Sequence, residues 1–282
     1  MHMRLDKFLA DMGVDPRGKI KHYIKWGKVT VNGKGVTDPG FQIRDQDLNS
    51  VQVSYKGHPV VYARYEYYMM HKPAGVLSAT EDKKQTTVLD LMTGPVRKDV
   101  FPVGRLDKDT EGLLLLTNDG ELAHRLLSPK HHIDKVYLAR VGGELPPESV
   151  EAFQQGIHYD TKLTAMPAGL TILRTGLPMS ETEKASYIKN YELLSGIKKD
   201  AFHVNASCLD VSQIPDTVSE VTATIQEGKF HQIKKMFHAL GTEVVYLKRV
   251  SMGPLQLDPA LAPGQYRPLT EAELAALREL TG

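Results

Sequence analysis

GRLDKDTEGLLLLTNDG, residues 104–120, changes character halfway along its length. Gly104 to Gly112 is polar and rich in Asp and Arg, whereas Leu113 to Leu116 and Thr117 suit a buried strand. Asn118-Asp119-Gly120 then reads as a turn into a helix that Leu122, Leu126 and Leu127 continue on one face. A polar loop leading into a buried strand is where a rigid fold can hold a catalytic group. By pattern alone, Asp107, Asp109 and Glu111 fit a catalytic carboxylate, a cation site or a solvated turn.

The chain around this stretch has 282 residues, 41% hydrophobic and 24% charged, a composition that excludes general disorder. Its length suits one large domain or a small domain joined to a larger one. The single cysteine, Cys208, excludes an internal disulfide and any multi-cysteine metal site, and agrees with a reducing, cytoplasmic location. Neither a signal-peptide core nor an apolar run of membrane-spanning length is present, so no membrane partner is expected. The net charge of +1 is unevenly spread. Residues 1–62 hold ten Lys/Arg against six Asp/Glu, and the remainder carries a small acidic excess. The first segment is therefore the one suited to phosphate contact.

Upstream, Leu5, Phe8, Leu9 and Met12 form the apolar stripe of a short helix that ends before Gly13. A second helix is predicted from about Gly18 to Lys25, with Ile20 and Ile24 inward. Lys28 to Val31 alternates like a strand, Asn32-Gly33 signals a hairpin, and Val51, Val53 and Tyr55 repeat the alternation before the turn at Lys56-Gly57. Residues 63–66 read as a linker, dividing a small unit at 1–62 from a larger one at 67–282. In the larger unit an apolar strand runs from Tyr67 to Met70 and breaks at Lys72-Pro73-Ala74-Gly75, where a plain turn explains the residues as well as a substrate contact.

Farther along, Ile233, Met236, Phe237 and Leu240 make an apolar helix stripe, with His231, Lys234, Lys235 and His238 on another face. The spacing of these histidines without partner ligands, and the isolated pair His131-His132, give no metal site. Residues 177–201 are polar and read as a surface excursion inserted into the larger unit.

RLDKFLADMGV (Arg4 to Val14) and IKWGKVTVNGK (Ile24 to Lys34) resemble the S4 RNA-binding domain, with a departure at Asp15-Pro16-Arg17-Gly18, where that family commonly has Ser-Arg. GRLDKDTEGLLLLTNDG resembles the signature of the pseudouridine synthases that modify ribosomal RNA. KPAGVLS (72–78), SPKHHIDKVYLARV (128–141), EGKFHQIKKMFHALG (227–241) and LAPGQYRPLTEAEL (261–274) are similar to further segments of that family, in order and spacing. The likeness covers nearly the whole chain and is nearest to the small-subunit ribosomal RNA synthase A branch.

This resemblance implies an α+β fold: a small S4-like domain, then a synthase domain built on a mainly antiparallel sheet with flanking helices. It implies Asp107 as the essential aspartate, Tyr137 as the active-site tyrosine and Lys234 as the basic partner of Asp107. Arg4, Arg17, Lys19, Lys21, Lys25 and Lys28 become the expected RNA contacts of the first unit, and Arg105 the candidate for holding an opened nucleotide. Arg105 could equally pair with Asp109 or Glu111. Isomerising uridine needs no redox change and no outside group, so no cofactor is expected. The expected partner is ribosomal RNA or an assembly intermediate, met by a monomer. Competing readings are a large-subunit enzyme, a non-catalytic RNA-binding or assembly protein on the same fold, and a phosphate-handling enzyme. The last lacks a Gly-rich loop ending in Lys-Ser/Thr.

Overall fold

Four adjacent leucines are wasted on a strand with one wet face, and Leu113 to Leu116 are all fully buried. They sit near the middle of a nine-stranded sheet that has a hydrophobic core on each side. Leu114 and Leu116 point with Met70, Tyr137 and Phe237 into one core, Leu113 and Leu115 with Met69, Ile133 and Leu277 into the other. The computed structural model describes residues 2–160, 163–195 and 214–281.

The sheet's main path runs Gly169–Pro178, Thr217–Ile225, Lys135–Gly142, Val244–Met252, Glu111–Thr117, Tyr67–Lys72, Tyr266–Pro268. Every neighbouring pair on this path is antiparallel except Val244–Met252 with Glu111–Thr117, whose parallel register sets Arg249 beside Gly112. Gly112 has φ +107°, and a Cβ there would lie 2.2 Å from the Arg249 carbonyl oxygen. Only glycine lets the two halves of the sheet meet at this point. The helices α1 (Leu5–Asp11), α2 (Arg17–Lys25), α3 (Gly120–Leu127), α4 (Glu148–Gln155), α5 (Glu181–Leu194), α6 (Gln232–Ala239) and α7 (Glu271–Thr281) flank the sheets. The fold is thus α+β with a mostly antiparallel sheet, as the family resemblance implied.

The N-terminal unit has its own core, in which Leu5, Phe8, Leu9, Ile20 and Ile24 from α1 and α2 meet Val29, Val31, Val53 and Tyr55 from a small sheet. Asn32 and Gly33 both take positive φ (49° and 77°), the geometry that joins twisted antiparallel strands through two residues. After the His58–Val60 strand the chain reaches Tyr67 without regular structure. Arg97 donates to the Ala63 carbonyl at 2.9 Å and Phe8 stacks on Tyr62, so the two units touch through this connection.

Two expectations need correction. The strand expected to break at Lys72 continues through His71 and includes Lys72, pairing up to Gly112. The polar stretch 177–201 is not a loose excursion where it is described. It begins in the Gly169–Pro178 strand and continues in α5, started by a capping box between Ser180 and Glu183. One face of α5 is buried: Tyr187 packs on Gly142, Asn190 donates to the Val244 carbonyl at 2.7 Å, and Glu183 pairs with Arg140 at 2.7 Å. Polar side chains here pair with groups on two inner strands of the sheet, which is why low hydrophobicity misread them. Residues 196–201 lie outside the described residues.

Candidate active site

The loop between Val103 and Glu111 is fixed by its backbone. Thr110 N–H closes a turn onto the Asp107 carbonyl at 3.0 Å, and Gly75 N–H reaches the Lys108 carbonyl at 2.7 Å. Ser78 Oγ both donates to the Leu106 carbonyl and accepts from the Leu106 N–H, at 3.0 and 3.1 Å. Beneath the loop lies the fully buried Lys72. Its Nζ is 2.9–3.2 Å from the carbonyls of Pro73, Asp107, Lys108 and Thr110. Burial pushes this ammonium down to about 8, opposed by the charges of Asp109, Asp107 and Glu111. At neutral pH it keeps its proton and donates to the loop. Its role was invisible in a turn-like KPAG, because three of the four carbonyls it serves lie more than thirty residues away.

Held this way, Asp107 faces a cleft of about 610 Å³, within the range of small-molecule sites. Tyr137 and Lys135 enter it from one face of the Lys135–Gly142 strand, and Arg249, the register partner of Tyr137, enters from the next strand. Arg105, Lys108, Lys229, Phe230 and His231 complete much of the wall. A smaller recess of about 60 Å³ adjoins, also bounded by Asp107 and Tyr137 and closed by Thr110, Leu247 and Lys234.

The cleft is rich in cations. Lys135 is buried, donates to the Ile133 and Gln226 carbonyls, and is pushed down to about 8 by burial and then by Arg249. Arg249 is also buried and donates Nε–H to the Leu113 carbonyl at 2.8 Å. Neither was singled out from the sequence. Lys135 looks like one end of an ordinary alternating strand, and only the register brings it near Arg249.

The expected pairing of Lys234 with Asp107 is not what the structure shows. Lys234 is nearly enclosed and donates to Asp109 Oδ1 at 2.6 Å. Lys189 of α5 approaches the other Asp109 oxygen at 3.4 Å. Burial acts to raise the Asp109 carboxyl, but Lys234 and Lys189 hold it below the usual carboxylate range. The turn that bonds Thr110 to Asp107 separates the two carboxylates, with Asp109 toward α6 and Asp107 toward the cleft. His231 is the group opposite Asp107, its Nε2 3.7 Å from Asp107 Oδ1. Burial lowers the His231 pKa, with Asp107 opposing. His231 takes a left-handed backbone (φ +53°) at the start of α6 and stacks on Phe230 with centroids 3.8 Å apart.

Arg105 is exposed at the cleft wall, and Asp109 and Glu111 are engaged elsewhere, Glu111 by the Tyr246 hydroxyl at 3.0 Å. The alternative of an Arg105 ion pair with either carboxylate is therefore not realised. Among the expected RNA contacts of the first unit, Arg4 and Arg17 bond the fully buried Asp6 at 3.1 Å, with Lys21 at 3.9 Å. Burial would raise the Asp6 carboxyl, but Arg4 and Arg17 hold it low. Lys19 lies 4.0 Å from Asp15, whereas Lys25 and Lys28 have no carboxylate partner among the described residues. Three cations around one carboxylate leave this face positive. Among the described residues no group of three His, Cys, Asp or Glu could hold a metal ion, and no helix is long and apolar enough to cross a membrane.

The family model for RNA pseudouridylate synthase matches residues 66–239, and that for the S4 domain residues 3–49. The RNA pseudouridine synthase YtzG of Bacillus subtilis is 43% identical, with 98% of this chain and 99% of that protein covered. Ribosomal large subunit pseudouridine synthase B of Bacillus subtilis is 37% identical, covering 98% and 96%. Ribosomal small subunit pseudouridine synthase A of Escherichia coli is 34% identical, covering 98% and 100%. A crystal structure of a pseudouridylate synthase, 30% identical, superposes with a TM-score of 0.58, covering 98% of this chain and 99% of that one. An aspartate loop pinned over a cationic cleft, with likeness along the full chain, leads to one assignment: the protein belongs to the RNA pseudouridylate synthase family and carries an S4 domain ahead of its catalytic sheet.

Proposed function

We propose that the protein converts one uridine of ribosomal RNA, in the small subunit, to pseudouridine, with Asp107 as the catalytic carboxylate. The carrying observation is the position of Asp107, which is fixed by backbone bonds yet faces a nucleoside-sized cleft lined by cations. In the reaction the C1′–N1 bond breaks, the uracil turns, and a C1′–C5 bond forms. The C5 proton leaves and N1 gains one, so atoms and charge balance. Asp107 starts the sequence by attack or by removing a ribose proton, and either route needs an ionised carboxylate. Tyr137 offers a ring on which uracil stacks and a hydroxyl near the departing C5 proton. Lys234 acts through Asp109, setting the far end of the loop and adding positive field. Arg105 holds the nucleotide once it has left its stack.

The division of labour is an S4-like unit at 1–62 that grips RNA, a linker at 63–66, and a catalytic unit at 67–282. The enzyme works as a cytoplasmic monomer on ribosomal RNA or an assembly intermediate. Because the reaction is redox-neutral and internal to the substrate, it calls for no cofactor. The segment HQIKKMF (231–237), with full-length similarity to the small-subunit enzyme of Escherichia coli, favours the small subunit. Identity of 37% to a large-subunit enzyme supports a second reading with the same chemistry. Mapping pseudouridines in both ribosomal RNAs from cells with and without the protein separates them. We expect one small-subunit site to disappear; loss from the large subunit instead would select the second reading. Unchanged maps in both would refute a ribosomal RNA target.

A further inference from the structure

Trp26 is the protein's only tryptophan, and it is 67% exposed. A tryptophan in solvent at the end of a helix does nothing for the core of a small domain. It is nevertheless held: Tyr23 meets it edge-on with centroids 5.6 Å apart, and His22 lies tilted at 6.1 Å. Tyr23 is fixed in turn by Tyr55, edge-on at 5.8 Å, and by Lys56, whose Nζ sits 3.7 Å over its ring. Lys56 and Tyr55 both bond Asp15, at 3.0 and 2.9 Å. An exposed ring is thus mounted on a chain of ordered groups.

Next to it, where Gly27 turns the chain from α2 into the Val29–Val31 strand, is an open recess of about 520 Å³. Tyr23, Lys28, Thr30, Ser54 and Lys56 are among its walls. Thr30 and Ser54 place two hydroxyls there, hydrogen-bonded to one another at 2.7 Å. From Arg17 to Lys34 the sequence has six Lys/Arg and not one Asp/Glu. Arg17, Lys19 and Lys21 face Asp6 or Asp15, which leaves Lys25 and Lys28 without a carboxylate partner among the described residues. A stacking ring, paired hydroxyls and these two cations are the complement of a nucleotide: base, ribose and phosphate. That positive charge favours nucleic acid over an apolar protein surface as the occupant.

We infer that Trp26 and this recess, which shares no lining residue with the Asp107 cleft, form a second RNA site that takes one unpaired nucleotide by stacking its base on the indole with Lys28 at its phosphate. The inference rests on the protein acting on RNA, but not on ribosomal RNA as target nor on the role of Asp107.

Because Trp26 is the sole tryptophan, its emission reports this site alone. The full-length protein is titrated at low salt with a dye-labelled ten-nucleotide oligoadenylate, which contains no uridine to isomerise. Dye anisotropy follows binding and indole emission follows stacking. Binding should quench the indole, while an abasic oligomer of the same phosphate count should bind without quenching. Trp26→Leu should weaken oligoadenylate binding about tenfold, the order expected for one base stack. Trp26→Phe should retain most of the affinity, and both variants should keep the parent's turnover at saturating substrate RNA. Oligoadenylate that does not bind, binds without quenching, or binds Trp26→Leu as tightly as the parent would overturn the site. A ribosomal RNA map that refutes the proposed target would leave these results standing.

Discussion

Pattern alone left Asp107, Asp109 and Glu111 open, and it was the family resemblance that picked out Asp107, whose neighbours in space, His231, Tyr137 and Arg249, come from distant segments. A polar loop before a run of leucines already marks a rigid edge. Lys72, Lys135 and Arg249 were not legible, since each takes its meaning from contacts made across strand register or with carbonyls far along the chain. The charge partner of Lys234 was misread for a related reason. Two carboxylates two residues apart in a turn point to different sides, and sequence spacing does not say which side faces α6. The observed pair makes a prediction for Lys234→Met and Asp109→Asn. Each should slow single-turnover pseudouridine formation by about tenfold or more, since the loop loses an anchor and a misplaced group costs on that order. If Lys234 acts through Asp109, the double variant should be no slower than Lys234→Met alone. Multiplying losses in this cycle would mean that Lys234 acts on Asp107 or the substrate without Asp109.

Among the elements, α1, α2, the Asn32-Gly33 hairpin, the leucine strand and α6 followed from periodicity and turn chemistry. α5 did not, because it buries tyrosine, asparagine and glutamate in place of an aliphatic stripe. Removing residues 178–199 would uncover Gly142 and Val244 and detach Lys189 from Asp109, so the stretch is part of the catalytic unit. α7 supplies a pH-dependent clamp on the edge strand Tyr266–Pro268. Glu273 takes two bonds from Arg267, each 2.8 Å, and accepts the Thr270 N–H at 2.8 Å. Arg267 first and the Thr270 bond later, against burial, hold the Glu273 carboxyl down at about 2. Since the folded value is depressed, the stabilisation is full above the unfolded value near 4.5 and fades as pH falls toward 2. Glu273→Gln should therefore lower unfolding free energy by about 1–2 kcal/mol at pH 7, allowing for its partial exposure. In urea titrations that difference should shrink steadily below pH 4.5. A gap that stayed constant down to pH 3 would assign the loss to packing.

For the whole molecule, the two units have separate cores and different electrostatic characters. The first carries the basic surplus and the second the aspartate cleft. Some of that surplus is spent on Asp6, so the unpaired Lys25 and Lys28 are the clearest phosphate contacts. Each phosphate neutralised contributes about −0.7 to −0.9 to the slope of log affinity against log salt. Replacing both lysines with alanine should flatten the slope by about 1.5 and leave the saturated rate alone. An unchanged slope would make them part of a solvated face. The central claim, that chemistry depends on the Asp107 carboxylate while the rest of the protein grips and positions RNA, has a direct test. Single-turnover release of tritium from C5-labelled uridine RNA is followed for the parent and Asp107→Asn, at RNA concentrations shown by a separate binding assay to saturate both. Asp107→Asn should bind RNA like the parent and release no tritium above background. Release at a near-parental rate would contradict the account.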